Sequence, residues 1–453
     1  MGAPGADYRG FAMASTDPLE KPLEPLFPRL SGGPRQMDPD EVARHQKARL
    51  EGAMVEAVAR HGFAATTVRE LVTLAGVSKS TFYDHFQSKE ECFLVTFDTI
   101  VAEVTAEVIE ANQSSDDFRQ RLVAGFGRFM ELVIERPEAA AFATVDSLTL
   151  GSAGIAHRER SWEAFEQMAR QYFVDAAPQQ QVSDLTVRAI IAGVSGVVYR
   201  RLRSSRTEEL PGLIEPLIDW ALSYQEPESK AVKAAVAAAE RPAARPAAED
   251  DGAPDWEEPP DSPISRSVLS QRERIIRAAA RVVVERGYES LSIPAISAAA
   301  GTSNQTFYEN FKSKREAFLT AYETASADAL RVGAEAFEAA AELPEAVGAS
   351  LRALTEYIAE NRTYGRLAFV ELPTAGPPAL DRADETMNRL ISFLEPEKRA
   401  KAAKAAPPRV VLEATASGIW FVIQREIANG RREALPETAP ELAKLAISPL
   451  SLP

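Results

Sequence analysis

The sequence predicts an all-α protein built from two copies of one module, and three observations lead there. Apolar residues recur at helical spacing from Val42 onward, with few Gly or Pro inside the periodic stretches and no strand-like alternation of useful length. A fifteen-residue stretch, Ala75 to Lys89, returns 225 positions later as Ala300 to Lys314 without an insertion or deletion. Two tracts rich in Pro, Gly and Ala, residues 1–40 and 226–265, interrupt the periodicity ahead of each copy.

Length and composition narrow the class. A chain of 453 residues has room for two to four domains with their own cores. No apolar run approaches the roughly 18 residues that span a bilayer, and the first 40 residues lack a basic-then-apolar leader pattern. An intracellular, cytoplasmic location is therefore expected. The single cysteine, Cys92, excludes an internal disulfide and a cysteine zinc site, and beside Phe93 it reads as a small buried hydrophobe. The net charge of −15 argues against a chain that coats nucleic acid everywhere, yet the charge is unevenly placed. Residues 226–263 hold ten acidic and four basic residues, 266–317 hold five acidic and nine basic, and 41–92 hold seven of each.

Taken in order, residues 1–40 read as a disordered arm, 41–92 as a first three-helix head, and 93–225 as a helical regulatory and dimerisation half. Residues 226–265 read as a flexible, acidic Ala/Pro linker with room for a short helix at Lys230–Glu240. Residues 266–317 and 318–453 repeat the head and the regulatory half, with the helical pattern restarting at Val268. The repeat reaches well beyond the fifteen residues. At the same offset Gly62 faces Gly287, Phe93-Leu94 faces Phe318-Leu319, Ala143 to Asp146 faces Ala368 to Glu371, and Leu210-Pro211 faces Leu435-Pro436. Ser195-Gly196 pairs with Ser417-Gly418 at an offset of 222, so the later helices carry small length changes.

Each head has the marks of a helix-turn-helix. A first helix from about Val42 to His61 ends at Gly62, and Thr67 to Glu70 forms a capping box in which Glu70 is expected to reach back. Val68, Leu71, Val72 and Ala75 form one apolar face; Gly76 permits the tight turn and Ser78 caps the next helix. Phe82 and Phe86 anchor that short helix, which leaves Ser80 and Asp84 furthest outward and Thr81 and Tyr83 on the flanks. Such a helix suits the major groove, with Lys79, Ser80 and Thr81 reading bases. Thr67, Ser78, Tyr83, His85 and Lys89 complete the expected DNA contacts of the first head. Those of the second are Ser292, Ser303, Asn304, Gln305, Thr306, Tyr308, Asn310 and Lys314. Loss of Lys89 is expected to flatten the salt dependence of binding, as for any phosphate contact. Asn304 and Gln305 stand where the first copy has Lys79 and Ser80; amides suit adenine and lysine suits guanine, so two unlike half-sites are expected.

The run Gly76-Val77-Ser78-Lys79-Ser80-Thr81-Phe82-Tyr83-Asp84-His85-Phe86, followed by Ser88-Lys89-Glu90, closely resembles the signature of the TetR family of transcriptional regulators. Gly301 to Lys314 resembles it too. The resemblance implies two TetR-like modules in tandem, each with an N-terminal DNA-binding domain and an all-helical domain that binds a small-molecule inducer and dimerises through its last two helices. In this chain those helices correspond to 187–203 with 210–224 and to 409–425 with 435–447. An intramolecular pseudo-dimer through a four-helix bundle follows, with Gly193, Gly196 and Gly418 permitting close approach. The 40-residue linker averages roughly 35 Å end to end, ample for the return. The resemblance also implies a double-stranded DNA operator as partner and release by ligand, hence a repressor, with no cofactor or metal. Candidate cavity residues are Phe142, Trp162, Phe165, Tyr172, Tyr357, Tyr364, Phe369 and Trp420, although ordinary core packing explains each of them as well. His157, Arg158 and Arg160 form a candidate anion site or a solvated face. Four scattered histidines, no nucleophilic triad and no phosphate loop speak against an enzyme. The remaining alternatives are a homodimer of such chains and an interaction protein in which only the first head binds DNA.

Overall fold

The computed structural model describes residues 38–113, 117–176, 182–243, 256, 259–395 and 407–451, all helix, turn or loop. The described residues form two compact units. One comprises those up to 150 with 157–165 and 198–215; the other comprises 151–156, 166–197 and those from 216 onward. Residues 1–37 of the expected arm lie outside the described part; Pro39 and Asp40 open the first helix.

The first unit begins with α1 (Pro39–His61), α2 (Val68–Ala75), α3 (Lys79–His85) and α4 (Lys89–Asn112). Asp38 caps α1 by accepting from the Asp40 N–H, and Pro39 fills a first-turn site that needs no donor. The helix stops at Gly62, whose φ of 81° and ψ of 160° suit only a residue without Cβ. Leu50, Met54 and Val58 of α1 meet Leu71, Phe82, Phe86 and Phe93 in one core. Next come α5 (Phe118–Glu135) and α6 (Pro137–Thr144). Phe142 of α6 stacks on Phe93, ring centroids 4.0 Å apart, and so belongs to this core. Expected in an inducer cavity, it here packs α6 against the core of the first head. Cys92 is fully buried, and burial pushes its thiol up to about 12. The structure thus agrees with the reading of Cys92 as an inert hydrophobe. The helices α7 (Gly151–Ala176) and α8 (Asp184–Arg203) each run through both units.

The second unit holds most of α9 (Ile214–Leu222), then α10 (Lys230–Glu240), α11 (Pro263–Val268), α12 (Gln271–Arg286), α13 (Ile293–Ala299), α14 (Asn304–Asn310) and α15 (Lys314–Glu338). After these come α16 (Leu343–Glu360), α17 (Arg362–Arg366), a π-helical turn (Leu367–Glu371), α18 (Pro377–Leu394), α19 (Arg409–Ala428) and α20 (Leu435–Ile447). Two linker expectations change. The segment expected to be flexible contains α10, which buries Val232, Ala235 and Ala239 and packs on α16 and α20. Gly348 of α16 lies so close to the Ala235 carbonyl that a Cβ there would overlap it. An Ala-rich helix with one apolar stripe is stable once that stripe is covered. Trp256 is also docked, donating its Nε1–H to Asp328 (3.0 Å) beneath the Arg277 guanidinium. The helical pattern, expected to restart at Val268, resumes already at Pro263 with α11, and the long first helix of the second head starts at Gln271, where Ser270 and Glu273 cap each other's backbone N–H groups.

Glycines set the closest helix approaches in this unit. A Cβ at Gly193 would overlap the Trp220 ring, one at Gly196 would overlap Ser417, and one at Gly418 would press on the Ala189 carbonyl. Trp220 donates its Nε1–H to Thr415 (2.9 Å), and the Tyr224 hydroxyl donates to the Leu445 carbonyl (3.2 Å). Helices from both copies therefore meet inside one unit along an α8/α19 seam, where the glycines were expected to allow it.

Candidate nucleic-acid interface

In each head the turn is built by local chemistry. Gly76 takes a left-handed conformation and the Val77 N–H bonds back to the Val72 carbonyl (3.0 Å), which stops α2. Thr302 N–H to Ser297 O (2.9 Å) behind left-handed Gly301 repeats the arrangement. Ser78 and Ser303 cap α3 and α14 by accepting from Thr81 and Thr306 N–H, each at 3.0 Å. Phe82 and Phe86, and Phe307 and Phe311, are buried and tie each short helix to its core.

The opposite faces stand in solvent. Lys79, Ser80, Tyr83 and Asp84 are exposed on α3, as are Asn304, Gln305, Tyr308 and Glu309 on α14; Thr81 and Thr306 are half-buried. Tyr83 is 51% exposed and Tyr308 62%, and these are the only aromatic side chains among the large exposed apolar residues of the described chain. An exposed ring costs free energy in water, and here it recurs at one register position in both heads. The Thr67 and Ser292 hydroxyls, both on exposed residues, accept from Glu70 and Ala295 N–H at the N-termini of α2 and α13.

Several side chains expected at the interface have other work. Lys89 donates to the carbonyls of Phe63 and Thr66, both at 3.1 Å, and lies over the Phe63 ring. Lys314 repeats this with the Leu291 carbonyl (2.7 Å) and the Tyr288 ring. Each clamps the loop after the first helix to the start of the fourth, where a phosphate contact was expected. Glu70 does not close the capping box; its carboxylate meets His61 Nε2 at 3.1 Å. Asn310 donates to the Thr306 carbonyl one turn back (2.8 Å), and Gln305 donates to Glu309 (3.1 Å). His85 is half-buried against Phe86, its Nε2 without a hydrogen-bond partner among the described residues. The structure adds three cations that the motif reading passed over. Arg69, Arg266 and Arg315 are exposed, and no hydrogen bond or ion pair engages their side chains among the described residues. Arg69 sits in the first turn of α2, Arg315 in that of α15, and Arg266 lies against Gly301 at the turn of the second head. The excess of basic residues in 266–317 was the signal that could have found the last two.

The candidate ligand-site residues divide. Tyr357, Tyr364, Phe369 and Trp420 form a continuous row of ring contacts in the second unit, with centroids 5.6, 6.3 and 4.2 Å apart in turn. Tyr364 and Phe369 are buried and Gln424 donates to the Phe369 carbonyl, as in ordinary core. In the first unit Trp162 is half-buried under the Arg158 guanidinium, and Phe165 is half-buried. The side chain of Tyr172 lies outside the described part. His157 meets Asp98 at 2.8 Å and Arg160 at 3.1 Å, while Arg158 is buried, so these three do not gather into an anion site.

Comparison with known proteins matches both heads. The description "Bacterial regulatory proteins, tetR family" covers residues 52–96 and 275–321. The uncharacterised HTH-type transcriptional regulator YerO of Bacillus subtilis is 43% identical over 49 residues, 11% of this chain and 17% of its own length. The HTH-type transcriptional activator FasR of Mycolicibacterium smegmatis is 32% identical over 88 residues, 19% of this chain and 40% of its own. The chain thus aligns with less than half the length of either curated relative. Among solved structures, the fatty acid degradation regulator FadR of Bacillus halodurans overlaps 42% of this chain and 97% of its own (TM-score 0.37, 14% identity). FadR of Bacillus subtilis, solved with stearoyl-CoA, overlaps 39% and 97% (TM-score 0.36, 14% identity). Both capped helix-turn-helix heads therefore match the tetR family of bacterial regulatory proteins, and the chain carries that family's N-terminal module twice.

Proposed function

We propose that the chain is a sequence-specific transcriptional regulator that presents two DNA-reading heads from one polypeptide. The observation that carries this reading is the recurrence of an exposed tyrosine on a capped reading helix, Tyr83 and Tyr308, beside different polar readers. Lys79 and Ser80 favour a different base pattern from Asn304 and Gln305, so the operator has two unlike half-sites. The α8/α19 seam supports an intramolecular pseudo-dimer, in which one chain does the work of a homodimer. The regulator is a repressor released by a small molecule. Its ligand acts in the regulatory half and shifts α4 or α15, each of which starts in a head, so the heads lose their match to successive major grooves about 34–36 Å apart.

Selection of operator DNA from a random pool, followed by footprinting, tests the proposal. Two protected, unequal half-sites about one helical turn apart are expected. Protection of one half-site would instead support a chain whose second head has lost DNA binding. Failure to enrich any sequence would overturn the proposal.

A further inference from the structure

The second regulatory half contains a cavity of about 360 Å³ beside α17, the π-helical turn and the C-terminal end of α19. Arg362, Arg366 and Arg432 line it with one carboxylate, Glu433, while Val370 and Ile427 give it an apolar wall. The Glu433 side chain is 89% exposed and 3.6 Å from Arg432, too solvated to neutralise three guanidinium groups. Arg362 is exposed, and no hydrogen bond or ion pair engages its side chain among the described residues. Guanidinium groups hold carboxylate and phosphate oxygens in pairs, and three around a small hollow concentrate that preference.

Arg366 has a partner outside the cavity lining that gives the cavity a consequence. Its guanidinium meets Glu371 at 3.2 Å, and Glu371, 5% exposed, accepts from the backbone N–H of Tyr288 (3.3 Å). Tyr288 follows Gly287, the residue that ends the first helix of the second reading head. One carboxylate therefore joins the cavity to the head. At the same offset the first copy keeps an acid, Asp146, but has Pro137 and Ala141 in place of Arg362 and Arg366.

We propose that this cavity binds a small organic anion, a carboxylate or phosphate with a short apolar tail, and that the anion draws Arg366 from Glu371 and so loosens the second head alone. The inference rests on the ligand response proposed above and deepens it by naming a site and a ligand class. Lacking both arginines, the first copy does not repeat this site, so the site takes one molecule per chain.

Calorimetric titration of the full chain at low salt with hexanoate, hexyl phosphate and neutral hexanol tests it. At least one anion binds at one site per chain and hexanol does not. Arg362→Gln and Arg432→Gln each weaken that binding about tenfold, the loss of one charged hydrogen bond, with the helical circular dichroism unchanged. Hydrogen exchange at the Tyr288 amide quickens when the anion is bound. Absence of binding by both anions, equal affinity in the variants, or an unmoved Tyr288 amide would each overturn the inference. No DNA enters the titration, so anion binding by a chain that selects no operator would sink the regulator reading and leave this one standing.

Discussion

Tyr83 and Tyr308 sit on the outer faces of their reading helices, each edge-on to the buried phenylalanine before it. Because they bury little, replacing either with alanine should change stability by no more than about 0.5 kcal/mol. Each replacement should weaken operator binding by about 1–3 kcal/mol, measured by fluorescence anisotropy beside a thermal melt. Unchanged affinity would remove that tyrosine from the contact surface. Asp146 makes a different prediction. Burial pushes its carboxyl up to about 7, against the pull of the Arg203 charge. An unfolded aspartate titrates near pH 3.9, so between about pH 4 and 7 the folded chain holds a proton that the unfolded chain has released. Stability therefore falls as pH rises through that window. Asp146→Asn should flatten this decline in urea midpoints taken from pH 4.5 to 8; an unaltered decline would acquit the residue.

At the level of elements, the lysine that opens the fourth helix of each head acts as a clamp. Lys89→Ala should cost about 1.5–3 kcal/mol of stability, because it removes charged hydrogen bonds to two carbonyls, yet leave the slope of log affinity against log salt unchanged. Arg69→Ala should do the reverse, lowering that slope by about one with little effect on stability. If Lys89→Ala flattens the slope instead, the lysine touches phosphate after all. The contrast marks how far sequence reaches. Ser78, Gly76, Ser303 and Gly301 were legible because caps and left-handed turns are settled by residues a few positions apart. The partners of Lys89 lie 23 and 26 positions away, and nothing local announces them. Likewise α10 was legible as a helix from its alanines, whereas its docking on α16 and α20 depends on a stripe those distant helices supply. Glu70 had two partners within reach, its own cap and His61, and only tertiary geometry chose between them.

For the whole molecule, duplication was legible from one unbroken 225-residue offset, and the seam glycines could be named because close helix approach excludes a Cβ. The cavity arginines escaped notice because Arg362 and Arg432 are 70 positions apart and belong to no repeat. Within the second unit Glu166, from the first copy, meets Arg170, Arg188 and Arg425, the last from the second copy. That buried carboxylate and the Trp220–Thr415 hydrogen bond tie the copies with groups that are costly to leave unpaired. Under the proposed pseudo-dimer, such a seam lets one chain bring both heads to DNA. The mass of the operator complex by native mass spectrometry tests this most directly. One 49.2 kDa chain on a duplex carrying both half-sites is the predicted result; an operator occupied only by two chains would contradict the account.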